Sequence, residues 1–283
     1  MRWFNRVDQY LRATRRKKTQ NTCYGVEVEV EWETEEEKND AICHFNEYGM
    51  HNISLTEDGS LRNGAEFVTT IPHIKRSVLA EIKDLYDWLK ETNAIITKRC
   101  STHIHMDVRN FNTAQLFAFQ TIYSFFEYDM LSCIGVERKN NKFCLTDYVT
   151  PVNLSFKYGL ILGDKPIDWL KERGKRYRYQ AMNVIDPILR QGSIEFRSMQ
   201  GNLDIELLSI WINKLEMLFE ISKKFDTPKS MYKLYNILVA HPKLFYKAVF
   251  GQPCVNELNY YVLDIARLIL GESYNEEDFI GLQ

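Results

Sequence analysis

Valines alternate with glutamates near the start of the chain. Across residues 24–32, Val26, Val28, Val30 and Trp32 fall on one face of an extended backbone, and Glu27, Glu29 and Glu31 on the other. A period of two with β-branched residues predicts a strand. Asp58-Gly59 marks a turn, and residues 64–71 read as a second strand. Residues 95–108 form a third extended run, in which His103, His105 and Asp107 alternate with Ile104, Met106 and Val108. Residues 178–185 and 193–199 read as two more strands. Residues 33–40 are densely charged and read as a loop. Pro72 opens a helix whose apolar positions Ile74, Val78, Leu79, Ile82, Leu85, Tyr86 and Leu89 recur at three and four. Asn112 or Thr113 caps a helix through Leu116, Phe119, Ile122, Tyr123 and Phe126. Asn202 or Asp204 caps another that runs to about Phe225, and helical stretches over 229–250 and 256–270 close the chain. Strands and helices do not alternate as in a doubly wound parallel fold. The pattern predicts an α+β fold, with a mainly antiparallel sheet and helices on one face.

Composition narrows the picture. With 283 residues, 45% apolar and 13% aromatic, the chain can bury a sizeable core and does not read as disordered. A formal net charge of -2 argues against a general polyanion binder. The charge is uneven, however. Residues 1–20 carry Arg2, Arg6, Arg12, Arg15, Arg16, Lys17 and Lys18 against Asp8. They read as a solvated basic tail, with contact to nucleic acid or a protein partner as the functional alternative. The six cysteines show no metal-knuckle or redox spacing, which points to reduced thiols in a cytoplasm. No apolar run follows the first basic residues, so no signal peptide is expected. The most apolar stretch, 203–225, carries Asp204, Glu206, Lys214, Glu216 and Glu220, and reads as an amphipathic helix rather than a membrane span. The expected organisation is a tail (1–20), a main domain (21–225) and a C-terminal helical extension (226–283).

The polar faces carry the candidate chemistry. Glu27, Glu29 and Glu31 stand about 7 Å apart on one side of their strand. Like charges so placed repel, and water, neighbouring lysines or cations must compensate. The cation reading is a bed of hard oxygen ligands for Mg2+. If the histidine strand shares that sheet, His103, His105 and Asp107 meet the glutamates across one cleft. A His-x-His-x-Asp run also suggests a metallohydrolase, but His44, His51, His73 and His241 supply no pairing pattern to complete one. Glu195 and Arg197 are either a structural ion pair or a metal carboxylate beside a fork for phosphate or carboxylate. Glu66 is a lone acid between Ala65 and Phe67.

Taken in order, these segments resemble the amidoligase family, part of the superfamily of glutamine synthetase and glutamate–cysteine ligase. Tyr24-Gly25-Val26-Glu27-Val28-Glu29 resembles its opening Gly-x-Glu-x-Glu strand. Asp58-Gly59-Ser60-Leu61 followed by Gly64-Ala65-Glu66-Phe67-Val68-Thr69 is similar to its Asp-Gly-Ser-Leu … Glu segment. Thr102-His103-Ile104-His105-Met106-Asp107 resembles its His-x-His strand, and Arg178-Tyr179 with Asn183 its Arg-Tyr … Asn segment. Ile194-Glu195-Phe196-Arg197 … Gly201-Asn202-Leu203-Asp204 resembles its closing pattern. Cys100-Ser101-Thr102 stands where the family usually has a glycine, and Asn202 where it usually has threonine.

The resemblance implies a glutamine-synthetase-like catalytic fold with an open cleft on the sheet face away from the helices. It implies an ATP-dependent, Mg2+-using carboxylate–amine ligase working through an acyl phosphate, with two or three Mg2+ ions and Mn2+ as a substitute. Small-molecule or peptide carboxylates and amines would be its substrates. Glu27, Glu29, Glu66, His103 and Glu195 are then metal ligands, with Glu31 peripheral. His105, Arg197 and Arg138 contact nucleotide, and Arg197, Glu66 and Arg178 are catalytic. Asp58 or Asp107 is the candidate for the amine's proton, and residues 33–52 or 138–151 for a water-excluding loop. A phosphotransferase on the same scaffold and a non-catalytic binding module are the rival readings.

Overall fold

The computed structural model describes residues 22–134, 144–148, 158, 179–184, 187–188 and 191–273. The basic segment 1–20, Arg138 and Arg178 lie outside the described residues. The described fold is α+β. Its centre is β1 (Cys23–Glu31), flanked by β3 (Gly64–Thr69) and β5 (Ser101–Asp107); β2 (Ile53–Thr56) extends the sheet past β3, and β7 (Ser193–Gln200) with β6 (Met182–Asn183) extends it past β5. A short β4 (His73–Ile74) pairs with Cys23 and Tyr24 at the start of β1. Every pair of named strands is antiparallel.

One face of the sheet is apolar and carries the helices. Val26, Val28, Val30, Phe67, Ile104, Met106, Ile194 and Phe196 are wholly buried. Phe45 of α1 (Glu35–Tyr48) and Trp88 of α2 (Lys75–Glu91) pack on Phe67, with ring centroids at 5.1 and 5.6 Å. Phe119 and Tyr123 of α3 (Thr113–Phe125) and Trp211 of α5 (Ile205–Ser222) surround Phe196 at 6.1, 5.6 and 6.0 Å. Each such side chain contributes about 1.5–3 kcal/mol of burial. Short α4 (Glu127–Leu131) follows α3, and α6 (Pro228–Ala240), α7 (Pro242–Phe250) and α8 (Tyr260–Ser273) come last. Their Met231, Leu238, Tyr246 and Val262 join the same buried cluster as Val26 and Phe196. Helix α3, enclosed by these layers, is buried on every side. No helix among the described residues is long and apolar enough to cross a membrane.

Several element bounds differ from the sequence expectation. Residues 33–40 are not a loop: Thr34 caps α1, accepting from Glu37 N at 3.1 Å while the Glu37 carboxylate accepts from Thr34 N at 3.0 Å. Glu35, Glu36 and Glu37 then sit where the helix dipole favours negative charge. The dense charge that suggests a loop is thus a helix start, and only Ala41 and Phe45 of α1 are buried. Strand β2 has no sequence expectation behind it. Helix α2 begins at Lys75 rather than Pro72, because His73 and Ile74 first pair with β1. The 95–108 run narrows to β5, with Ile95 making a separate bridge to Glu31. The 229–250 stretch splits at Pro242, which lacks the N–H needed to continue α6 and opens α7.

Asp129 ties the C-terminal segment to this core. Its carboxylate accepts from Cys254 Sγ (3.0 Å), Val255 N (3.0 Å) and Asn256 Nδ2 (3.0 Å), while its carbonyl accepts from the buried Lys214 ammonium. Burial works against the ionised form, but these donors win and hold the carboxyl below its ordinary value of 3.8. Asp129→Ala leaves buried donors unsatisfied and should cost about 2–4 kcal/mol in urea denaturation at neutral pH. Because the folded pKa is lowered, the wild-type advantage is full well above pH 3.8 and is lost as the pH falls below it. A difference that is unchanged at pH 3 would assign the effect to packing rather than to the charge.

Candidate functional site

The other face of the sheet collects acids and imidazoles from four strands. Strand register does this directly: Glu29 lies opposite Glu66, Glu27 opposite His103, and His105 opposite Glu195. Opposed residues in an antiparallel pair project to the same side, their Cβ atoms about 4.5–5.5 Å apart. Arg197 shares this face with Glu195 by alternation, and the register of β7 shifts just beside it. Thr102 pairs with Met199 and Ile104 with Phe196, so His103 alone faces both Arg197 and Ser198. The extra residue makes a bulge in β7, the kind of feature that re-aims a side chain. Ala181 O accepts from Arg197 N (2.9 Å) and Ser198 Oγ (3.2 Å) and holds the bulge from the other side.

The side chains form a continuous network. His103 is the hub: its Nδ1 lies 2.9 Å from Glu27 Oε2 and 3.8 Å from Glu195 Oε1, and its Nε2 lies 2.8 Å from Ser101 Oγ and 3.8 Å from Glu29 Oε1. Glu29 Oε2 accepts from Ser101 N (2.7 Å) and Ser101 Oγ (2.5 Å). His105 Nε2 lies 3.0 Å from Glu27 Oε1, and its Nδ1 3.4 Å from Ser193 Oγ. Glu195 accepts from Asn183 Nδ2 (2.8 Å) and from the Arg197 guanidinium. Glu66 accepts from Thr56 Oγ1 (2.8 Å). Glu29 and His103 are 3% exposed and Glu195 6%, while Glu27, Glu66, His105 and Arg197 keep partial exposure at the rim of the cluster.

Burial and neighbouring charge push these groups in different directions. Burial would raise Glu27, but hydrogen bonds from His103 and His105 outweigh it and hold the carboxyl well below the usual range. Burial disfavours a charged His105, yet the bond to Glu27 raises its pKa. Glu66 is pushed up to about 7, by burial first and the Glu27 charge second.

Two triads can accept a metal ion, Glu27–His103–Glu195 and Glu29–Glu66–His103, with the ligand atoms of each within 4.8 Å of one another. Neighbouring ligands of an octahedral ion with bonds of about 2.0–2.1 Å stand roughly 3 Å apart, so small shifts suffice. Carboxylates suit Mg2+ or Mn2+, and the single imidazole tilts a triad toward Mn2+.

Residues 12–218, well over half of the chain, match the family described as "Putative amidoligase enzyme". The chain belongs to this family. A comparison with curated proteins returned no match. The family assignment points to a ligase, and it covers β1 through most of α5, the part of the amidoligase chain that holds all the clustered residues.

Of the sequence candidates, Glu27, Glu29, Glu66, His103, His105, Glu195 and Arg197 converge on this sheet face. Glu31 does not: it turns to Arg62 N and lies 3.9 Å from Arg99. Asp58 caps its own turn through Ser60 N (2.7 Å), and Asp107 is gripped by Arg109. Both carboxylates are engaged structurally. Sequence reasoning did not pick out the supporting side chains Ser101, Thr56 and Ser193. Ser101 shares the alternation of His103 and His105, and that was its available signal.

Glu66→Gln keeps the acceptor for Thr56 and removes the strained charge. A carboxyl with a raised folded pKa weakens folding as pH climbs from its unfolded value of 4.5 through about 7. In metal-free protein, the variant should therefore melt higher than wild type at pH 8. The gap should shrink as pH falls below 7 and vanish below 4.5. Calorimetry in chelator across that range checks it; a variant that melts lower at pH 8 contradicts it.

Proposed function

We propose that this amidoligase-family chain is an ATP-dependent carboxylate–amine ligase on a glutamine-synthetase-like fold, using Mg2+ and forming an amide through an acyl phosphate. One observation carries the reading: four carboxylates, two imidazoles and a guanidinium from β1, β3, β5 and β7 converge on one largely buried sheet face. Burying so much negative charge is costly unless cations share the space. Strands also hold ligands more rigidly than loops, as a site for charged groups requires.

A carboxylate is a poor electrophile, and phosphorylation by ATP makes it a good one, with ADP leaving. The amine nitrogen then bonds to the acyl carbon and phosphate departs. Phosphoryl transfer needs charge neutralisation and alignment more than covalent help from the protein. Glu27, Glu29, Glu66, His103 and Glu195 would hold Mg2+ or Mn2+, which neutralises triphosphate charge. The raised pKa of His105 suits it to donate to a phosphate oxygen. Arg197, beside the bulge and braced by Glu195, would present its fork to the transferred phosphoryl group. Helix α1 fills most of residues 33–52, which therefore form no water-excluding loop, and most of 138–151 lies outside the described residues.

The direct test is ATP turnover with Mg2+ across pools of carboxylates and amines, read by product mass. Phosphate release should appear together with an amide; a phosphorylated product without amide would instead mark a phosphotransferase. Glu29→Gln and Glu195→Gln should each abolish the Mg2+ dependence of nucleotide binding, and calorimetry showing unchanged Mg2+–ATP affinity in both would defeat the site assignment. Arg197→Lys keeps the charge and loses the planar fork. ATP binding should survive while turnover falls about 10²-fold, as when a transition-state donor is removed. Normal turnover with a lowered melting temperature would make Arg197 merely a partner of Glu195.

A further inference from the structure

Residues 1–20 hold an apolar pattern as well as a charge. Trp3, Phe4, Val7, Tyr10 and Leu11 recur at three and four, the spacing of one side of a helix. Of the chain's 36 basic and 38 acidic side chains, this segment holds Arg2, Arg6, Arg12, Arg15, Arg16, Lys17 and Lys18 against Asp8, which leaves the rest of the chain net negative. An arm that only grips phosphates, or only stands in water, has no need of five apolar side chains at that spacing.

An apolar side needs a surface, and one lies where the segment joins the fold. Cys23 opens β1 opposite Ile74. Ile74 and the nearby Ile71 are 43% and 56% exposed. Lys75, the next residue, donates to Asn213 at 3.0 Å and pairs with Glu216, so this corner rests on α5. Tyr24 reaches the same place: burial first, then the charges of Glu216 and Glu220, raise the pKa of its hydroxyl. The outward side of α5 shows Ile210 and Met217, 51% and 46% exposed. They stand about 10 Å apart along the helix, and Trp3 and Tyr10 have the same separation in sequence. Glu206, Glu216 and Glu220 share this side, while the one lysine within α5, Lys214, is buried. Lys75 and Lys223 meet Glu216 and Glu220 at the surface, where such pairs are worth little and yield readily to another cation.

We propose that residues 2–18 fold back on their own chain and dock on the face formed by Ile71, Ile74, Ile210 and Met217, with their arginines among the acids of α5. A second copy is the poorer occupant. Four half-exposed side chains fall far short of the roughly 800 Å2 per partner that a stable dimer buries. A tethered segment needs less, because attachment at Cys23 holds it at an effective concentration of about millimolar. Its reach is ample, since the stretch from Leu11 to Cys23 extends to about 40 Å. A polyanion is poorer too, because it would take the cations and leave the apolar side uncovered. The docked segment straps the start of β1, just ahead of Glu27.

The experiment places photoreactive benzoylphenylalanine at position 7 of the full-length chain and irradiates it at low protein concentration. Peptide mapping of the monomer should find the crosslink within one chain, on residues 71–75 or 205–222. Ile210→Lys with Met217→Lys alters exposed positions and should leave the melting temperature near that of wild type. It should cut the crosslink yield about 10-fold, since two apolar contacts are lost and two like charges gained. Arg12→Glu with Arg15→Glu, a change made in the segment itself, should lower the yield as well, so the result does not hang on the folding of one variant. Crosslinks to other surfaces, crosslinks only between chains, or a yield unchanged in both double variants each overturns the proposal. So does a segment that crosslinks nothing in the free chain and labels only an added single-stranded RNA, which would make it a nucleic-acid arm.

Discussion

A strand in the middle of a sheet has no free edge, and β1 is such a strand, paired on both sides. Burying Val26, Val28 and Val30 beneath the helices forces Glu27, Glu29 and Glu31 together on the opposite face. They cannot splay to solvent past an edge, so their neighbours must accommodate them. Taking a carboxylate out of water costs several kcal/mol unless it is paired and hydrogen-bonded. Each glutamate meets this differently. Glu27 takes two imidazoles, Glu29 the N–H and hydroxyl of Ser101, and Glu31 the N–H of Arg62. Glu66, brought in opposite Glu29, accepts from the hydroxyl of Thr56 and feels the charge of Glu27. It is the carboxyl that burial pushes up to about 7. The unrelieved electrostatic cost of the face is concentrated there, within one of the two metal-capable triads.

The sequence shows which side chains share a face, and much less about which ones meet. Alternation at Glu27/Glu29, His103/His105 and Glu195/Arg197 survives in the structure because a strand's period is fixed by its covalent geometry. Register is set by long-range pairing, and a one-residue slip would send every side chain to the other face. Nothing local places Glu29 opposite Glu66 or His103 opposite Arg197. The bulge in β7 is equally silent: Phe196 through Met199 read as ordinary strand, and the extra residue appears only when β5 lies alongside. Helix α1 was hidden because its charges serve a capping box rather than a loop. Strand β2, four residues long, was hidden by brevity, and with it the support that Thr56 gives Glu66. Ser101 escaped notice because a small neutral residue has no chemistry until Glu29, 72 positions earlier, is placed against it.

The apolar side bears on function through stiffness. Phe196 lies between Glu195 and Arg197 in sequence and is held by Phe119, Tyr123 and Trp211. Any rotation of β7 that moved the two site residues would have to drag that ring through a close-packed layer. A second anchor sits at the entry to β5. A Cβ on Gly201 would come within 2.7 Å of Cys100 Cβ and 2.9 Å of its backbone, so a glycine is needed for the two chains to approach. Gly201 N then donates to Cys100 O at 3.0 Å. That contact fixes the residue before Ser101, and hence the direction of the Ser101 N–H toward Glu29.

A lattice of structural ion pairs is the competing account of the same face, and the balance of charge argues against it. Such a lattice would match the glutamates with lysines or arginines. Among the described residues, the ion-pair contacts to Glu27, Glu29 and Glu195 come from His103, His105 and Arg197, and no lysine joins them. Lys75, Lys83 and Lys223 pair elsewhere, on the helices and their approaches. With Glu66 added, four acids share one guanidinium and two imidazoles among the described residues. Cross-strand pairing of two acids, Glu29 against Glu66, is unfavourable in a sheet that only has to fold. It becomes favourable when a divalent cation sits between them, as the proposed function requires. The arrangement that is poor as scaffolding is the one that phosphoryl transfer needs.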